Sequence, residues 1–147
     1  MLRPVVIDGR YRVIRPIGGG SQSAIYHVHD EETRTELILK ALAAGNGSEQ
    51  IRAALKSEFL LLHRLYHPHI IRPRDFGYCD SHGPYFTMQF NGGETLQSLR
   101  GTLSTAELRS ILLQIGNALE YLRGQGILHR DISPANIVVC VERGRAS

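Results

Sequence analysis

His129-Arg130-Asp131-Ile132-Ser133-Pro134-Ala135-Asn136 is the stretch on which the reading of this chain turns. It sets an aspartate and an asparagine five positions apart on a short polar segment. A carboxylate in such a loop can orient a hydroxyl group and accept its proton, and a carboxamide oxygen can ligate a hard divalent cation. The flanks suit that chemistry. Upstream, Leu108, Ile111, Leu112, Ile115, Leu119 and Leu122 recur at helical spacing behind the capping box Ser104-Thr105-Ala106-Glu107. Gly124 and Gly126 end this predicted helix, and Ile127-Leu128 leads into the loop. Ile137-Val138-Val139-Cys140-Val141 reads as a strand after it, and the tail from Glu142 to Ser147 as an open turn.

Further from the loop, the N-terminal part reads as strands. Tyr11 to Ile17 and Ala24 to His29 alternate and flank Gly18-Gly19-Gly20-Ser21-Gln22-Ser23, which predicts a hairpin with a glycine-rich tip. Leu37 to Leu42 is a short apolar strand carrying one lysine, and Ala44 to Ser48 a flexible connection. Ile51, Leu55, Phe59 and Leu62 predict a helix from Glu49 to Leu65, stopped by His67-Pro68. Ile70 to Tyr78 and Tyr85 to Phe90 complete five strands. The fold class is therefore α+β: a five-stranded antiparallel sheet with one helix after its third strand, then a mainly helical part. Asn91-Gly92-Gly93 marks the boundary, which gives domains 1–90 and 91–147.

Lys40 is the most demanding residue of the first part. An unpaired ammonium in an apolar strand is costly, so Lys40 needs anionic partners, and Glu58 on the following helix is the best-spaced carboxylate. The ordinary alternatives are a lysine that snorkels to water and a solvated helix glutamate.

On these residues the chain resembles the protein kinase family. The octapeptide is similar to that family's His-Arg-Asp-x-x-x-x-Asn, Gly18-x-Gly20 to the start of its glycine-rich loop, and Leu37-Ile38-Leu39-Lys40 to its Val-Ala-Ile-Lys. The resemblance runs from about Tyr11 to Val141, with the elements in the family's order. It implies ATP and Mg²⁺ as cofactors and a protein substrate, with Asp131 as the catalytic acceptor and Asn136 as a metal ligand. Ile17, Gly18, Gly20 and Ile25 would cover the nucleotide, Lys40 with Glu58 would hold its phosphates, and Met88, Gln89 and Phe90 would form the hinge that meets adenine. Ile25 stands where the family has Val, and Ser133 where serine/threonine kinases usually have Lys. His129 is expected to support the loop by packing and hydrogen bonding.

Phosphoryl transfer in this family also uses an Asp-Phe-Gly triplet after the catalytic loop. No such triplet follows Asn136 before Ser147, so the chain reads as the front part of a kinase domain. Asp75-Phe76-Gly77 spells it, but ahead of the loop, where Asp75 is expected to cap a turn. Two other readings stay open. One is a catalytically inactive, kinase-like interaction module with an exposed apolar face on the long helix. The other is a small-molecule phosphotransferase, against which Arg130 argues mildly, because such enzymes tend to carry Gly there. His63, His67 and His69 have a spacing that suggests metal, but a His-Pro link between helix and strand accounts for them better.

Composition sets the outer bounds. The net charge of +3 is spread along the chain, which argues against nucleic-acid binding. Cys79 and Cys140 lack metal or disulfide spacing. No run approaches the roughly 20 apolar residues of a membrane span, and the N-terminus lacks the apolar core of a signal peptide. The expectation is a soluble, cytoplasmic protein.

Overall fold

In the computed structural model, which describes residues 5–19, 21–43, 47–142 and 145–146, the chain opens with a hairpin at Asp8-Gly9. Both residues hold positive φ, 54° and 63°, as a type I′ turn requires. The turn pairs β1 (Val6–Ile7) with β2 (Tyr11–Gly19). β3 (Ser23–Asp30), β4 (Thr35–Leu42), α1 (Glu49–Arg64), β5 (Pro73–Cys79) and β6 (Gly83–Gln89) follow. The antiparallel sheet has six strands in the order β1-β2-β3-β4-β6-β5, one more than the five expected. β1 escaped the sequence reading because two residues are too few to alternate. The fourth expected strand begins at Pro73 rather than Ile70, and Phe90 lies just past the end of β6.

The chain divides into two compact units, Met1–Tyr66 with Ile71–Phe90, and His67–Ile70 with Asn91–Ser147. In the first, α1 lays Ile51, Leu55, Phe59 and Leu62 on one sheet face against Ile38, Leu42, Phe86 and Met88. That is the apolar stripe read from the sequence. Ile7, Tyr11, Val28, Leu37, Leu39 and Tyr85 form a second cluster with Ala41 and Cys79.

Asp30 anchors the base of this sheet. It is fully buried, and Arg10 donates to both its carboxylate oxygens, at 2.8 and 2.7 Å. The Glu32 amide and the Thr33 hydroxyl donate as well. The Arg10 hydrogen bond, partly opposed by burial, holds the Asp30 carboxyl well below the usual carboxylate range.

The misleading triplet belongs to this scaffold. Asp75 does not cap a turn: it lies at a register shift between Pro73 and Phe76, 3.5 Å from Arg10. Phe76 packs its ring 5.3 Å from Phe59. Gly77 stands under Tyr85, and a Cβ there would collide with the Tyr85 hydroxyl and the ring carbon that bears it. Tyr85 cannot swing aside, because its hydroxyl donates to Asp8 and its ring meets Tyr11 edge-on. Burial first, and that hydrogen bond second, push the Tyr85 phenol far up. Gly77→Ala is accordingly expected to cost about 1–3 kcal/mol of overpacking, read as a lower urea midpoint with an unchanged slope.

The second unit contains β7 (Glu94–Thr95), α2 (Thr105–Gly124), β8 (Val138–Val139), β9 (Val141–Glu142) and β10 (Arg145–Ala146). The capping box forms as read: Glu107 N–H donates to Ser104 Oγ, and Ser104 N–H to Glu107 Oε2. The single strand expected over Ile137–Val141 is two short ones, β8 pairing with β7 and β9 with β10. Glu142 pairs with Arg145 in that ladder, while Arg143, Gly144 and Ser147 of the expected open turn lie outside the described residues. The stripe on α2 is only partly covered, with Ile111 and Leu122 buried but Leu108, Leu112 and Leu119 exposed. No helix among the described residues is long and apolar enough to cross a membrane.

Candidate active site

Two rows of cross-strand partners organise the α1 face of the sheet. One runs Gly18, Ile25, Lys40, Phe86, Phe76, and the other Arg15, His27, Ile38, Met88, Pro73. Directly opposed residues share a face, so Lys40 emerges beside Ile25 on the side where α1 packs. Leu55, Glu58 and Leu62 lie on one side of α1 at i, i+3 and i+7, which turns the Glu58 carboxylate toward the sheet. Lys40 Nζ donates to both its oxygens, at 2.7 and 2.8 Å. A cavity of about 120 Å³ adjoins the pair, lined in part by Gln22, Ser23 and Leu42. It is smaller than the roughly 300–1,000 Å³ of pockets that enclose whole small molecules, and suits a phosphate-sized group.

The glycine-rich tip is tighter than its sequence suggested. Gly19 holds φ 136°, and a Cβ there would meet the Ser23 carbonyl oxygen at 2.5 Å. The steric demand thus falls on Gly19, which the motif leaves unspecified. Gly18 has only Ile25 nearby, and Gly20 lies outside the described residues. Ile17 is exposed near the end of β2, and Ile25 is half-buried against the α1 cluster. Met88 is buried, Gln89 exposed and Phe90 half-buried. A larger cleft of about 340 Å³ lies at Arg72, Pro73, Arg74 and Gln89, none of which touches the Lys40 pair.

In the second unit, the loop after α2 folds on itself. Asn136 Nδ2 donates to Asp131 Oδ2 at 2.9 Å and to the Asp131 carbonyl at 3.0 Å. The residues Pro134–Asn136 make one 3₁₀ turn that brings the carboxamide back over Asp131. The Asp131 amide donates to His129 Nδ1 at 3.3 Å. His129 is exposed, so it supports the loop by that hydrogen bond and not by packing. Arg130 holds φ 63°, a left-handed conformation that is uncommon outside glycine. Strain of this kind gathers at functional loops, and nothing in the sequence announced it. Gln97 N–H donates to the Pro134 carbonyl and Leu96 N–H to that of Ile137, tying the loop to the segment after β7.

The histidines behave as structural groups. His63 stacks on Phe59, and His67 packs against Tyr121 and accepts the His69 amide. Among the described residues, no three His, Cys, Asp or Glu side chains gather in one place.

Known proteins match this chain over nearly its whole length. The family described as protein kinase domain matches residues 11–145. Serine/threonine-protein kinase pkn2 of Myxococcus xanthus is 30% identical over 144 residues, which cover 95% of this chain and 17% of that protein. A probable serine/threonine-protein kinase of Streptomyces coelicolor is 33% identical over 147 residues, covering 95% of this chain and 22% of that one. The chain thus spans about a fifth of the length of these relatives. Among solved structures, the PknI kinase domain of Mycobacterium tuberculosis superposes with a TM-score of 0.71 at 27% identity, covering 99% of this chain and 61% of that domain.

Proposed function

Because the chain belongs to the protein kinase domain family, we propose that it supplies the nucleotide-holding and catalytic-loop parts of a serine/threonine protein kinase that moves the γ-phosphate of ATP to a protein hydroxyl. The observation that carries this reading is the Lys40–Glu58 pair. A strand lysine gripped by both oxygens of a helix carboxylate, beside a phosphate-sized cavity, is an arrangement built to present an ammonium group to an anion. Residues 1–90 then form the nucleotide-holding domain, with Ile17, Gly18, Gly20 and Ile25 as its cover and Met88, Gln89 and Phe90 as the backbone that meets the base. Residues 91–147 carry the loop in which Asp131 orients the substrate hydroxyl and accepts its proton.

The donor chemistry fits Mg²⁺. Asn136 uses its amide nitrogen on Asp131, which leaves the carboxamide oxygen, a hard ligand, for a cation. Mg²⁺ needs only one or two protein ligands, because water and phosphate oxygens complete its octahedron. Bound there, the ion would neutralise charge on the phosphates.

Titration of the protein with MgATP in a calorimeter tests the reading. Wild type is expected to bind, and Lys40→Met to bind about tenfold or more weakly, the loss of a charge-assisted hydrogen bond. Equal affinities, or no binding by wild type, would contradict it.

A further inference from the structure

The cavity beside Lys40 and Glu58 is short of donors for an anion. An ammonium group carries three hydrogens, and Lys40 commits two of them to the oxygens of Glu58. Glu58 also adds its own negative charge to the wall. Leu42, Ile51, Ala54 and Leu55 bring apolar side chains. Among the described residues, the other side-chain donors in the lining are the Ser23 hydroxyl and the Gln22 carboxamide.

Ser23 is the better placed of the two. It opposes Leu42 on β4, as Ile25 opposes Lys40. Alternate residues of a strand share a face, so the Ser23 side chain stands on the α1 side of the sheet, diagonal to Lys40. It is half-buried, and among the described residues its hydroxyl has no hydrogen-bond partner. Its backbone is fixed from two directions. Ala43 N–H donates to the Gln22 carbonyl at 3.1 Å, and Gly19 lies so close to the Ser23 carbonyl that a Cβ would not fit between them. Gln22 is exposed, with a longer side chain and more rotamer freedom to lose on binding.

We infer that Ser23 is a binding residue for the phosphates: its hydroxyl donates to the same phosphate oxygens as the uncommitted N–H of Lys40. It thereby sets affinity for the phosphate tail and not for the base. The inference rests on the reading of this cavity as the place of the nucleotide's phosphates. A hydrogen bond to an ionised acceptor is stronger than one between neutral groups, and a short side chain on a fixed strand gives up little freedom to make it. Alanine in its place would leave the anion one ammonium N–H, an exposed carboxamide and an apolar wall.

Calorimetry on the full chain with MgATP, magnesium pyrophosphate and adenosine tests this. Ser23→Ala is expected to bind MgATP and magnesium pyrophosphate about fivefold more weakly, the loss of one hydrogen bond. The ratio of MgATP to adenosine affinity should fall by the same factor. Ser23→Thr keeps the hydroxyl on a side chain that strands favour, and is expected to restore most of that ratio. A ratio unchanged in Ser23→Ala would overturn the inference. So would an equal fall for adenosine, because the hydroxyl would then only brace the tip. Pyrophosphate binding that depends on Ser23, in a protein that ignores adenosine, would uphold the anion site and reject the nucleotide assignment. Wild type that binds none of the three probes would reject both.

Discussion

Asp30→Ala is expected to lower the unfolding free energy by about 3 kcal/mol, the low end of the cost of breaking a buried ion pair. Asp30 is fully buried and accepts from Arg10, the Glu32 amide and Thr33, so its removal orphans several donors together. The cost stays at the low end because Arg10 keeps Glu32 at 3.1 Å and Asp75 at 3.5 Å. Against a total stability of about 5–15 kcal/mol, the loss is large. Acid should reveal the same residue. The Asp30 carboxyl is held below its unfolded value, so its contribution is fully present above about pH 4 and drains away as the pH falls through the depressed folded value. Urea melts at pH 7 and pH 3 check both points. The gap between wild type and Asp30→Ala should be wide at pH 7 and narrower at pH 3. A gap equal at both would mean that the network acts by packing alone.

That network also shows where sequence reading stops. The stripe on α1 and the capping box on α2 were legible because each is a local pattern, decided by residues three or four apart. The Lys40–Glu58 pair was legible for another reason: a lysine in an apolar strand poses a desolvation problem, and few carboxylates lie at the right spacing to solve it. Arg10 and Asp30 pose no such problem in sequence, since one stands in a polar turn and the other at a strand end beside one, and only the hairpin geometry places one on the other. Asp75 looked like a turn cap for the same reason. The triplet was set aside by its position ahead of the loop, but why Gly77 must be glycine showed only with Tyr85 lying across it. On α2, periodicity gave the helix and its stripe but not the cover over it, because a hydrophobic period says which face is apolar and nothing about what meets that face. The strands β7 to β10 have two residues each, below the length at which alternation can be read. Arg130 was missed because a left-handed backbone at an arginine leaves no trace in composition.

In the whole kinase proposed above, Asp131→Asn is expected to lower phosphate transfer from MgATP by about 10²–10⁴-fold, the contribution typical of a positioned general base, while leaving MgATP affinity within about twofold of wild type. The substitution is selective because of the local geometry. An asparagine oxygen can still accept from Asn136 Nδ2, as Asp131 Oδ2 does at 2.9 Å, so the loop keeps its closure and loses only the group that takes the proton. Lys40→Met makes the complementary change, weakening nucleotide binding while Asp131 is intact. Single-turnover transfer to a protein substrate, measured beside the MgATP titration, separates the two. If Asp131→Asn transfers phosphate as fast as wild type, Asp131 serves only to brace the turn from Pro134 to Asn136, and the proton acceptor must be sought elsewhere. If it loses transfer and nucleotide affinity together, the loop has collapsed, and the hydrogen bond from Asn136 matters more than the carboxylate charge. Only loss of transfer with binding retained gives Asp131 the chemical role, because only that outcome places its effect in the transition state and not in the ground state.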